Sequence, residues 1–326
     1  MRVLLTGASG LLGNNVLEVL LQKGHHVTAL LRGHSVVSVN LAPYNGLCSI
    51  VRGNIASLDD LRVASEGCDA LVNCAGVTDM SFSRQESYNP INRDLCTTLM
   101  QVAEERGMEV LVHVSTANTI GYGTPEAPSD ESSPMQFPFT RSLYAKSKSE
   151  GEKLLIAASA NSGCRVVILN PGYIIGKYDS KPSSGKILQV ARRRRIMVAP
   201  MGGKSFVSVR TVADMVVAAL ERGRAGERYL ATGENLSFKE FYDVAASVGG
   251  YRQRVLMLPS WLVRMVGLLG DFLQSIGLKV SFSTRNVEQL LVNEYYSNAK
   301  ALKEFGVSPQ PISEAIAEFF DFADHR

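Results

Sequence analysis

The chain has 326 residues, 45% of them hydrophobic and 20% charged, with a formal net charge of +3 at pH 7. That length can bury a sizeable core and suits one large domain or two unequal ones. The composition is that of an ordinary globular protein, and so small a charge gives no reason to expect nucleic-acid binding.

The chain opens on Arg2-Val-Leu-Leu-Thr6-Gly7-Ala-Ser9-Gly10-Leu11-Leu12-Gly13, an apolar strand running into three glycines and then a helix. A tight turn after a strand needs unusual φ/ψ, and a pyrophosphate needs bare backbone N–H groups, so Gly7 and Gly10 suit a dinucleotide. Gly13 lets the helix pack close to the sheet, and the helix start turns its free N–H groups and positive dipole end toward phosphate. Thr6, Gly7, Ser9, Gly10, Leu11, Leu12 and Gly13 are the first cofactor-binding candidates.

Strand-like runs follow at 3–6, 27–31, 49–52, 70–74, 110–115 and 165–170, separated by helical patterns near 10–23, 57–66, 87–106 and 141–161. Such alternation predicts an α/β, Rossmann-type, doubly wound parallel sheet. Ligands of these sheets bind beyond the carboxyl ends of the strands. The strand-end residues Arg32, Asn54, Ile55, Cys74, Ala75, Gly76, Pro171, Gly172 and Ile174 therefore join the cofactor candidates.

The second strand ends at Leu31-Arg32-Gly33, and no acidic residue occurs from Val19 through Leu58. A ribose-binding carboxylate has no candidate there, whereas the planar fork of Arg32 suits a 2′-phosphate. NADP(H) is thus favoured, with NAD(H) as the alternative.

From about residue 171 the alternation breaks down, starting with the loop 176–185. The predicted division is a dinucleotide-binding domain over 1–170, rejoined by about 206–232, and a smaller C-terminal α/β substrate-binding region over 171–205 and 233–326. Residues 258–280 are nearly apolar enough for a membrane surface, but Arg264, Asp271 and Lys279 interrupt them. A spanning helix wants about 20 apolar residues, so helices walling an apolar pocket or core are expected, and membrane contact is not. The run Arg192–Arg195 reads as a solvated face.

The five cysteines show no CxxC spacing and have no nearby histidine pairs, so neither metal nor disulfide framework is expected. Reduced thiols, and a glycine turn that cuts the first apolar run short, point to a cytoplasmic protein rather than an exported one.

Tyr144-Ala-Lys-Ser-Lys148 sets a phenol and an ammonium one turn apart on one helix face. An ammonium beside a phenol lowers its pKa toward that of a working acid or base. Tyr173/Lys177 and Tyr296/Lys300 share the spacing, but only Tyr144 opens a helix after a strand ending in hydroxyls, Ser115-Thr116-Ala-Asn118-Thr119. His113, inside that strand, reads as a core or face residue.

Taken together, Thr6-Gly7-x-x-Gly10-x-x-Gly13, Asn73-Cys-Ala-Gly76, Ser115-Thr116 and Tyr144-x-x-x-Lys148, in that order, resemble the extended short-chain dehydrogenase/reductase family. The likeness runs nearly the whole chain, with Asn92 at the family's helix asparagine and Asn170-Pro171-Gly172 at its strand-end Pro-Gly. It implies that Tyr144 exchanges a proton with substrate oxygen, that Lys148 binds the nicotinamide ribose and tunes Tyr144, and that Thr116, or failing it Ser115, holds the carbonyl. Thr78, Asn118, Tyr173 and Arg210 are the substrate-facing candidates. No acid stands beside the strand-end hydroxyl, which disfavours dehydratase chemistry. The expected activity resembles that of dihydroflavonol reductases and 3β-hydroxysteroid dehydrogenases: NADP-dependent reduction of a small apolar ketone or aldehyde. An NAD-dependent sugar-nucleotide epimerase gripping phosphate through Arg210 or Lys186 is the alternative, and a non-catalytic NADP-binding sensor the second. The resemblance also suggests a homodimer through helices 87–106 and 141–161, a small-molecule substrate and no nucleic-acid partner.

Overall fold

The computed structural model describes residues 1–180 and 183–325; Lys181 and Pro182 of the loop 176–185, and Arg326, lie outside the described residues. The first half runs β1 (Arg2–Thr6), α1 (Leu11–Gln22), β2 (His26–Leu31), β3 (Cys48–Arg52), α2 (Leu58–Ala64), β4 (Ala70–Asn73), α3 (Leu95–Glu105), β5 (Val110–Val114), α4 (Leu143–Ser159) and β6 (Arg165–Pro171). There follow β7 (Tyr173–Ile175), α5 (Lys186–Arg192), β8 (Ile196–Pro200), β9 (Gly203–Ser208), α6 (Val209–Arg222) and β10 (Glu227–Ala231). The chain closes with β11 (Glu234–Ser237), α7 (Phe238–Gly249), β12 (Arg254–Leu258), α8 (Ser260–Ser275), α9 (Thr284–Val287), β13 (Asn293–Glu294), α10 (Ala299–Phe305) and α11 (Ile312–Asp324).

Seven strands form one parallel sheet in the order β10-β6-β5-β4-β1-β2-β3. Their side chains alternate between two cores, as the period of two requires. Val3, Leu5, Val110, Val112, Val167 and Leu169 pack toward α1, α6 and α10. Leu4, Leu111, Val166 and Ile168 pack toward α2, α3 and α4. Burial on both faces explains why these strands are continuous apolar runs.

The expected strands and helices occur with shifts of a residue or two, except that the helix of 87–106 is broken. Pro90 has no N–H for a helical ladder, and Pro90–Asp94 forms a wide π turn before α3 begins at Leu95. The seventh strand, β10, was not anticipated as a strand. The chain returns to the large sheet through α6 and β10, while Phe206–Ser208 still belong to β9 of a second sheet with β7, β11 and β13. That small sheet and a two-stranded pair, β8 with β12, cover a core of Phe206, Phe238, Phe241, Ile316 and Phe319.

The expectation for residues 258–280 needs correction. In α8 the buried positions are Val263, Gly267 and Gly270, while Trp261, Met265, Leu268, Leu269 and Phe272 are exposed. The apolar run pointed to helices but not to which side they bury. Among the described residues no helix is long and apolar enough to cross a membrane.

Candidate active site

The strand order reverses between β1 and β4, and the loops leaving those two strands meet there. Gly7 has φ +72°, and a Cβ on it would fall 2.5 Å from the Ala75 nitrogen. On Gly13, a Cβ would come 2.0 Å from the Gly7 carbonyl oxygen. Only glycine fits either place. Gly10 caps α1 with no side chain bonded to the free N–H groups, and no acid stands in the first turn. This bare, electropositive helix start beside a glycine-lined crevice fits a pyrophosphate. Ser9 and Gly10 are exposed there and Leu11 half-buried, with Leu12 behind them in the core. Thr6 is buried, its hydroxyl donating to Asn73 Oδ1 at 2.6 Å; it ties β1 to β4 rather than pointing outward.

At the end of β2, Arg32 is exposed. The turn behind it is clasped by Arg52, whose Nη1 donates to the carbonyls of Gly33, at 2.8 Å, and Ser35. Asn54 is exposed and Ile55 buried at the end of β3. After β4, Cys74 and Ala75 are half-buried and Gly76 is exposed; the Ala75 N–H is held by Asn73 Oδ1 at 3.1 Å. Asn92, in the π turn, exchanges both amide bonds with Val77, at 2.8 and 2.9 Å, and donates to Ser147 Oγ at 3.0 Å. It thereby pins the loop after β4 to α4.

On α4, Tyr144 and Lys148 project toward the ends of β4 and β5. Burial pushes the Tyr144 phenol up to about 12, against a smaller downward pull from the neighbouring Thr116 hydroxyl. The phenol therefore keeps its proton across the neutral range. Lys148 Nζ does not spend its bonds on the phenol as expected: it donates to the Val114 carbonyl at 2.7 Å and lies 3.2 Å from His113 Nε2. Burial lowers its pKa. His113, in turn, has Nδ1 3.0 Å from Asn73 Nδ2. A neutral imidazole cannot accept from both that amide and an ammonium, and burial and the Lys148 charge hold His113 well below its usual pKa. His113 thus lies between Asn73 and Lys148, a placement visible in sequence only as one polar residue inside an apolar strand.

The two strand-end hydroxyls separate. Thr116 faces Tyr144, whereas Ser115 donates to Glu152 Oε1 and is withdrawn from the site. The same carboxylate oxygen accepts from Thr119 Oγ1 and Asn170 Nδ2, each at 2.8 Å, and Arg228 stands 3.7 Å from Oε2. Burial raises the Glu152 pKa. This network was missed, although Tyr144, Lys148 and Glu152 are spaced i, i+4, i+8 and so share a helix face.

Among the substrate-facing candidates, Thr78 is exposed and Asn118 half-buried. Tyr173 lies against Phe206, with ring centroids 5.5 Å apart, and donates to the Ser184 carbonyl at 3.2 Å. Its ring also faces Lys204, which forms a buried ion pair with Glu294 that sequence reading missed. Arg210 is paired along its own helix with Asp214 at 3.1 Å. Gly172 packs on the backbone, where a Cβ would lie 2.4 Å from the Ser205 carbonyl oxygen. Pro171 is buried and Ile174 half-buried at the end of β6 and in β7.

A family model described as "NAD dependent epimerase/dehydratase family" matches residues 3–231, the whole span from the glycine turn to the end of β10. The chain belongs to the NAD dependent epimerase/dehydratase family. Its members' type is that of NAD(P)-dependent oxidoreductases and epimerases of the extended short-chain dehydrogenase/reductase kind, and this chain is such an enzyme. Within that family it is 28% identical to sterol demethylase protein B of Methylococcus capsulatus, over 98% of this chain and 97% of that protein. It is 27% identical to a putative dihydroflavonol 4-reductase of Synechocystis, over 96% and 92%. The crystal structure of gox2253 matches with a TM-score of 0.85 at 24% identity, covering 100% of this chain and 98% of that one. Its likeness concerns the fold.

Proposed function

We propose that the protein is an NADP(H)-dependent carbonyl reductase acting on a small apolar ketone or aldehyde. The observation that carries this reading is Tyr144, a phenol that burial keeps protonated, standing with the Thr116 hydroxyl at the end of β5. A phenol in that state suits the donation of a proton to a carbonyl oxygen, and the Thr116 hydroxyl suits holding that oxygen as charge develops. The dinucleotide, held by the Gly7–Gly13 turn with Lys148 toward its nicotinamide end, would supply hydride. Arg32, with no acid from Val19 through Leu58, favours a 2′-phosphate. Relatives named for sterol and dihydroflavonol chemistry support an apolar substrate. A sugar-nucleotide epimerase would need cationic grips on a diphosphate, and Arg210 is engaged by Asp214.

The test is oxidation of NADPH by the purified chain with apolar ketones and aldehydes. Tyr144→Phe is expected to lower turnover by about 10²–10⁴-fold, the usual worth of a positioned proton donor, with NADPH affinity little changed. Turnover surviving the substitution would refute the assignment. Recovery of a sugar-nucleotide epimer without net NADPH oxidation would favour the epimerase.

A further inference from the structure

A surface helix of a globular protein turns its polar side outward, and α8 does the reverse. Opposite Val263, Gly267 and Gly270 stand Trp261, Met265, Leu268, Leu269, Phe272 and Ile276, a stripe over four turns that is 54–65% exposed. The helix cannot roll to hide it. A Cβ on Gly267 would lie 2.8 Å from Thr284 Cα and one on Gly270 2.2 Å from the Phe282 carbonyl oxygen, so only the glycine side fits its seat. The seat is itself fixed: Asn286 Nδ2 donates to the Met80 carbonyl at 2.8 Å, in the loop after β4.

Charge identifies the occupant. From residue 250 to 280 the cations are Arg252, Arg254, Arg264 and Lys279, against one acid, Asp271. Asp271 is spent on the Thr284 N–H at 3.0 Å. Arg193, Arg194 and Arg195 are exposed immediately before β8, the strand that pairs with β12 leading into α8. We infer that α8 is an interfacial helix that lays its outer stripe on an anionic lipid bilayer. Apolar bulk with a basic surround is the composition that such surfaces attract, and 16 residues suffice to lie on a membrane but not to cross it. A second copy is a poorer occupant, because two-fold pairing of the stripe would set two basic surrounds against each other. A bound substrate is poorer too, since the stripe faces away from the 282–287 seat.

Trp261 is the only tryptophan in the chain, so intrinsic fluorescence reads the stripe directly in the unaltered full-length protein. Titration with vesicles of phosphatidylcholine containing phosphatidylglycerol at low salt is expected to shift its emission to the blue, with quenching by brominated acyl chains and flotation with the vesicles. Pure phosphatidylcholine should bind more weakly, and Arg264→Gln should lower partitioning about fivefold. Leu268→Glu with Phe272→Glu should lower it at least ~tenfold, while NADPH affinity confirms that the variant is folded. Emission unchanged by anionic vesicles would overturn the inference. So would a blue-shifted emission without lipid that tracks protein concentration alongside a dimer in sedimentation, which would give the stripe to a second copy. None of these readings requires the carbonyl substrate, so they stand or fall apart from the reductase assignment.

Discussion

Adjacent hydroxyls at the end of β5 do different work because a strand sends consecutive side chains to opposite sides. Thr116 meets Tyr144, while Ser115 is one of three donors on Glu152 Oε1. Thr116→Ala is therefore expected to lower kcat by about 10²–10³-fold with little loss of stability, as for removal of an oxyanion donor. Ser115→Ala should leave kcat within a few fold and instead cost roughly 1–3 kcal/mol of stability, the worth of a buried donor withdrawn from a carboxylate. Steady-state kinetics and denaturant titration of the two variants check this, and the opposite pattern would make Ser115 the acting hydroxyl. Sequence preferred Thr116 with Ser115 as the fallback but could not show what occupies Ser115, since its partner Glu152 lies 37 positions away. Tyr144 and Lys148 were legible because helix spacing joins them and the hydroxyls ending the strand before them set this pair apart from the other two with that spacing. The turn of Lys148 toward Val114 and His113 was not, because it depends on which strand lies opposite.

Elements were legible wherever period and punctuation agreed. The inner strands of the first half are apolar on both faces, and all six of its strands alternate with helical patterns, which made them readable. β10 (Glu-Arg-Tyr-Leu-Ala) is half polar, since it edges the sheet, and it gave no such signal. The end of β2 carries a prediction of its own. Arg52 from the neighbouring strand fixes the 33–35 turn, leaving Arg32 exposed at its base with no acid near in sequence. Arg32→Ala is expected to weaken NADPH by about tenfold or more, a charge-assisted bond's worth, and NADH hardly at all. Equal losses in parallel binding titrations would refute the NADP preference. For α8, the apolar run pointed to a helix, but Gly267 and Gly270 had to be seen against residues 282–287 before the buried side could be told from the bulky one.

At the scale of the molecule, the buried imidazole links the site to stability. The folded chain holds His113 well below 6.5, while an unfolded chain titrates near that value. Below pH 6.5 the unfolded state thus binds a proton that the folded state refuses, and stability present above that pH is lost as pH falls, by up to ~1.4 kcal/mol per unit. Glu152 and Glu294, with raised pKa values, act with the opposite sign at lower pH. Wild type is expected to lose more thermal stability than His113→Gln between about pH 7 and about pH 5.5; parallel melting curves would show that His113 is not the group responsible.

Where the large sheet meets the small one, two glycines bring main chain against main chain. A Cβ on Gly172 would fall 2.4 Å from the Ser205 carbonyl oxygen, and one on Gly233 2.4 Å from that of Phe206. The Gly172 N–H extends the β6–β10 ladder to the Ala231 carbonyl at 3.3 Å, so the contact is anchored to the large sheet. So close an approach leaves the main chain at these two glycines no room to shift sideways, and any larger residue there would wedge the two sheets apart.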